Sequence, residues 1–181
     1  MVDLHSQWPT AVTQRLGAIA ILFGQIEYLF KLYVKGFLVN FDKGMIVTSR
    51  MQFNQLLELT TALLKKEIAD DVLKGRYFAL VNKVESVEKR RNELFHSAWG
   101  MSREGETVSL SFTRTRTNQQ RDGQGLTKNK KVIVEADLDV LLQDLEAVKA
   151  EVRNLRFEIW PDLRRKRKSK KAKGGKRSVK S

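Results

Sequence analysis

The chain has 181 residues, 41% of them hydrophobic, and a formal net charge of +13, enough length to bury one core and too little to favour two ordinary domains. It contains no cysteine, which excludes disulfides, thiolate metal sites and thiol nucleophiles. The charge is local: residues 163–181 hold 11 of the 34 Lys and Arg and no acidic residue, leaving 23 basic against 21 acidic residues, a net +2, over residues 1–162.

After Trp8 and Pro9, residues Leu16, Ile19, Phe23, Ile26, Phe30, Val34 and Phe37 recur at steps of three and four. That is the period of an amphipathic helix, expected to end near Gly36. The uninterrupted apolar and glycine run within it, Leu16 to Gly24, is about half of the ~20 residues a membrane span requires. The first residues also lack the basic start and apolar centre of a secretory signal, so the expectation is a cytoplasmic protein with no membrane partner. A second helix, capped by Thr48 or Ser49, buries Phe53, Leu56, Leu57, Leu63 and Leu64 and runs into Lys65 and Lys66, whose charges suit a helix C-terminus. A third opens at Asp70 and Asp71, where the helix dipole favours acidic residues.

The third helix carries a stripe of Leu73, Tyr77, Leu80, Val84, Val87, Arg91, Leu94 and Ala98, spaced alternately four and three residues apart. An arginine takes an apolar place in it. After Gly100 the period changes to two: Val108, Leu110 and Phe112 alternate with Ser and Thr, and Val132, Ile133 and Val134 supply a return strand, a hairpin whose polar loop runs from Thr115 to Lys131. The last helix carries Leu138, Leu141, Leu145, Val148, Val152, Leu155 and Ile159 and is expected to close at Trp160-Pro161. These elements predict an all-α domain over residues 1–162, a four-helix up-and-down bundle with a β-hairpin inserted before the last helix. Residues 163–181 are expected to form a disordered Lys/Arg-rich tail, because so few apolar side chains cannot offset the entropy of ordering.

The chain has two histidines, His5 and His96, and no acidic cluster with ligand spacing, so no metal and no cofactor are expected. It lacks a G-x-S-x-G elbow, and Gly174 to Ser178 only echoes a phosphate-binding loop. Glu85 stands four residues before Lys89 and Glu88 three before Arg91, spacings that read as surface ion pairs. Trp99 reads as a packing residue.

The segment Arg91-Asn92-Glu93-Leu94-Phe95-His96 stands apart, because burying a guanidinium is costly unless something answers its charge. One reading has Arg91 paired internally with a glutamate and His96 capping the helix. The segment also resembles the R-[polar]-x(3–5)-H signature of the HEPN superfamily, helical-bundle proteins many of which are metal-independent endoribonucleases. Arg91, Asn92 and His96 match it position by position, and the likeness extends to the arrangement of residues 8–160.

The resemblance implies that a ribose 2′-hydroxyl attacks the adjacent phosphodiester and leaves a cyclic phosphate. His96 would move protons, a task suited to a group that titrates near neutral pH. Arg91 would steady phosphate charge with its planar fork, and Asn92 would orient one of these groups or the substrate. Five residues turn an ideal helix by about 500°, leaving Arg91 and His96 about 140° apart. The site therefore needs the helix to bend or end near His96, or a second copy to face the first, and the resemblance implies a homodimer.

The tail cations Arg164, Arg165, Lys166, Arg167, Lys168, Lys170 and Lys171 would retain RNA by phosphate attraction. Their lack of interleaved aromatic residues argues against base stacking there. The alternative reading is a non-catalytic HEPN-like dimer that binds RNA, the ribosome or a protein partner. Such a partner could be a nucleotidyltransferase antitoxin, within a toxin–antitoxin or phage-defence setting.

Overall fold

A computed structural model describes the backbone of residues 9–38, 41–104, 107–116, 127–133 and 135–174, and the side chains of 9–38, 42–97, 99 and 135–161. The fold is all-α in class. Among the described residues there are five helices, α1 (Thr10–Phe37), α2 (Phe41–Thr48), α3 (Phe53–Glu67), α4 (Asp71–Phe95) and α5 (Glu135–Gly174). Between α4 and α5 the chain passes through β1 (Ala98–Glu104), β2 (Thr107–Arg116) and β3 (Thr127–Ile133), an antiparallel sheet in the order β1-β2-β3. Trp99 stands opposite Phe112, and Leu110 opposite Ile133.

The helix boundaries follow local chemistry. The carbonyl of Pro9 accepts from the amides of Val12 and Thr13 and so opens α1. Asp70 Oδ1 accepts from the amides of Val72 and Leu73 at 2.8 and 3.1 Å, filling two of the donors a helix start leaves open. The cap of α3 is Gln52 rather than Thr48 or Ser49; its amide donates to Gln55 Oε1 at 3.1 Å. Thr48 instead ends α2 and bonds back to the Gly44 carbonyl at 2.8 Å. The four expected helices become five because α2, only eight residues long, is too short to display a stripe.

The chain divides into two compact units, Met1–Phe23 with Glu85–Glu146, and Gly24–Val84 with Ala147–Ser181. In the first, Val12, Ile19, Leu22 and Phe23 of α1, Val87 and Leu94 of α4, and Leu138, Leu141 and Leu145 of α5 are buried. Arg15 of α1 clasps Asp139 of α5 from Nε and Nη2 at 2.7 and 3.1 Å and lies 3.0 Å from Glu135. These hydrogen bonds hold the Asp139 carboxyl below its ordinary range.

In the second unit, Phe30 and Tyr33 of α1, Leu56 of α3, Tyr77 and Leu80 of α4, and Val152 and Leu155 of α5 are buried. The Tyr33 hydroxyl donates to the Val152 carbonyl at 2.9 Å, and burial pushes its phenol up. Gly36 lies so close to Trp160 that an added Cβ would stand 2.2 Å from the indole Cζ3. Lys83 meets Glu151 at 2.7 Å and Arg76 meets Glu158 at 2.9 Å. Cations seven apart on α4 thus meet anions seven apart, in reverse order, on α5, so the two helices run antiparallel in this unit.

Several expectations need correction. α4 ends at Phe95 and Ala98 opens β1, so the stripe overran the helix by three residues. α5 does not close at Trp160-Pro161: Pro161 lies inside it and the helix continues to Gly174. The residues that follow Pro161 are chiefly Leu, Arg, Lys and Ala, strong helix formers, so the backbone of the basic segment is helical up to that point. Residues 175–181 lie outside the described residues, as does most of the loop expected between the strands. α1 is also long and apolar enough to cross a membrane by length and composition. Counting only uninterrupted apolar residues missed this, although a core helix passes the same test and Ile19 and Ile26 are wholly buried.

Candidate functional site

α4 delivers Arg91 to the first unit as its seven-residue pattern requires. Arg91 is part-buried, in the stripe between buried Val87 and Leu94. Its guanidinium lies over two rings, 5.1 Å from the centroid of Phe23 on α1 and 4.8 Å from that of Phe95 on α4. Ring faces carry partial negative charge, so both contacts answer the cation without a carboxylate. Nη1 donates to Asn92 Oδ1 at 2.9 Å, while Nε is buried without a hydrogen-bond partner. No carboxylate among the described residues lies within ion-pair distance of Arg91.

This corrects two sequence expectations. Arg91 is not locked to an internal glutamate, and Glu88 is not its surface partner. Asn92 stands between them: it accepts from Arg91 and donates from Nδ2 towards Glu88 Oε1 at 3.5 Å. Glu88 is part-buried, and its carboxyl is held above the ordinary value of 4.5, chiefly by desolvation. The bond from Asn92 and the charge of Arg91 pull it the other way, and Glu85 pushes it further up.

His96 follows the last residue of α4 and is exposed. Its amide donates to the Asn92 carbonyl at 3.0 Å, Ser97 Oγ donates to the Glu93 carbonyl, and the Trp99 indole Nε1 donates to the Leu94 carbonyl at 2.8 Å. Three carbonyls that a helix end leaves open are thereby satisfied, which is why the helix stops one residue before His96. Trp99 is half-buried and caps the helix end, a role its position did not suggest. Among the described residues the His96 ring makes no hydrogen bond.

Arg91 and Asn92 are therefore brought together, and His96 stands at the helix exit with its side chain hydrogen-bonded to neither among the described residues. Phe23 and Phe95 are the residues that sequence reasoning missed, and Glu88, read as an ion-pair partner, meets Asn92 instead. Phe95 carried a signal, since it lies four residues after Arg91 on one helix face; nothing in the sequence marked Phe23 as its companion. The tail cations Arg164, Arg165, Lys166, Arg167, Lys168, Lys170 and Lys171 occupy helical backbone in α5, and their side chains lie outside the described residues.

Elsewhere in the first unit, Ala18, Ile21 and Leu22 of α1 and Leu142, Gln143 and Glu146 of α5 line an open apolar groove of about 620 Å³. It includes none of Arg91, Asn92 and His96. Among the described residues no three His, Asp or Glu side chains gather as metal ligands. Comparison with family models, with curated proteins and with solved structures finds no match to this chain.

Proposed function

We propose that the chain is a metal-independent endoribonuclease of the HEPN type, with Arg91, Asn92 and His96 as its site. The observation that carries this reading is the state of Arg91, a guanidinium held by two rings and one amide with no carboxylate in ion-pair distance among the described residues. A cation tied to a carboxylate is already neutralised; one steadied by ring faces keeps its charge for a phosphate. The exposed His96 at the exit of α4 is open to a substrate, and an imidazole is suited to taking a proton from a 2′-hydroxyl and giving one to the leaving 5′-oxygen.

On this reading the four longer helices form the bundle, the three strands precede the last of them, and a second copy lines a shared groove in the cytoplasm. The basic segment of α5 adds backbone attraction to RNA. The rings over Arg91 also suit a purely structural arginine, which favours, as the second reading, a non-catalytic domain that binds RNA, the ribosome or a protein. Incubating the purified protein with single-stranded RNA in EDTA separates them. Cleavage that disappears in His96→Ala supports the nuclease; intact RNA, or equal cutting by the variant, sinks it.

A further inference from the structure

Phe95 steadies Arg91 and is itself exposed. The residue remains 38% exposed, whereas Phe23, whose ring meets the same guanidinium, is 5% exposed. Phe95 is the last residue of α4, four after Arg91 on one face and directly before the exposed His96. The contacts that begin at buried Phe23 and pass through Arg91 thus end at an exposed aromatic residue that directly precedes His96 in the chain. A phosphate drawn to Arg91 brings the flanking base of a single strand to within reach of that ring, and a base without a pairing partner has a free π-face to offer.

We infer that Phe95 is a stacking platform for an unpaired nucleobase next to the phosphate held by Arg91. The inference rests on the RNA-cleaving reading for its substrate and goes beyond it by naming what the site requires of that RNA. Unpaired stretches bind there and duplex does not, because a paired and stacked base cannot turn onto the ring. Phosphate attraction is insensitive to the base, so the platform separates base-bearing strands from bare backbone.

The test uses two uncleavable oligomers of equal length, one of 2′-O-methyladenosine and one of abasic 2′-O-methyl ribose phosphate. Wild-type protein should bind the base-bearing strand on the order of tenfold tighter, as expected of one stacked base. Phe95→Trp should keep that preference. Phe95→Leu, which retains apolar bulk but removes the ring face, should bind both strands alike. Equal binding of the two strands by the wild type, or a preference that survives in Phe95→Leu, overturns the inference. Because these strands cannot be cut, the cleavage reading is scored apart: a wild type that prefers bases yet leaves ordinary RNA intact removes the nuclease and keeps the platform.

Discussion

The guanidinium of Arg91 sits 4.8 Å from the centroid of the Phe95 ring, four residues further along the same helix. This contact, with that to Phe23 and the bond to Asn92, places a cation on a mostly apolar face without burying an ion pair. Neutral residues of similar volume are often tolerated where a charge is part-buried, since no desolvation penalty remains, and methionine packs well on aromatic rings. Arg91→Met is therefore expected to unfold in urea within about 1 kcal/mol of the wild type while losing all cleavage. A loss of several kcal/mol would mark Arg91 as a structural residue.

Glu88 gives the fold a pH signature opposite to the usual one. Its folded carboxyl lies above its ordinary value, so in the window between the two the folded state binds more protons and stability falls as pH rises. Glu88→Gln should remove that slope and be at least as stable as the wild type at pH 7, with the advantage vanishing below the ordinary carboxylate range. Urea midpoints across pH 3.5 to 7.5 measure this; a wild type and variant with parallel profiles would contradict it.

Asp139 and Glu158 act in the other direction. Hydrogen bonds from Arg15 and Arg76 hold both carboxyls below their ordinary range. Their stabilising effect is fully present above the unfolded values and is lost as pH falls through the lowered folded ones. Asp139 is half-buried and Glu158 exposed, so the effect is partly screened by salt. Asp139→Asn should flatten the acid limb of the stability profile at low salt and change it little in high salt.

The glycines of α1 separate sharply. Gly36 has the Trp160 ring where a Cβ would stand, whereas Gly17 and Gly24 have open space. Gly17→Ala and Gly24→Ala should each stabilise by about 0.5–1 kcal/mol through helix propensity. Gly36→Ala should cost about 1–3 kcal/mol by overpacking. Thermal melts of the three variants decide it; an unchanged or raised melting temperature for Gly36→Ala would contradict the close packing.

Much of this was legible in the residues. The stripes of α1, α3, α4 and α5 located four helices because each buries one face over several turns, and periodicity reports burial directly. α2 escaped because eight residues show barely two turns. The end of α4 at Phe95 escaped because the stripe continues into β1 through Ala98, and what stops the helix is a set of bonds from His96, Ser97 and Trp99 that no spacing encodes. Pro161 read as a terminator although the helix formers after it carry the backbone on. At the site, the sequence marked Arg91 as out of place and Asn92 and His96 as its companions. It could not tell whether a glutamate or a ring answers the cation, since Phe23 lies 68 positions away in the chain.

The basic segment beyond Asp162 has its own readout. Removing residues 163–181 deletes 11 cations, and each single-strand phosphate no longer neutralised should make the plot of log affinity against log salt shallower by roughly 0.7. Cleavage chemistry should persist in the truncated protein at low salt. An unchanged slope would show that these cations do not touch RNA.

The most direct measurement is the chemical nature of the RNA ends left after incubation in EDTA, read by mass spectrometry for wild type and His96→Ala side by side. The account predicts 2′,3′-cyclic phosphate ends in the wild-type reaction and none with the variant. Products bearing 5′-phosphates and free 3′-hydroxyls, or cyclic ends formed equally by both proteins, would contradict it.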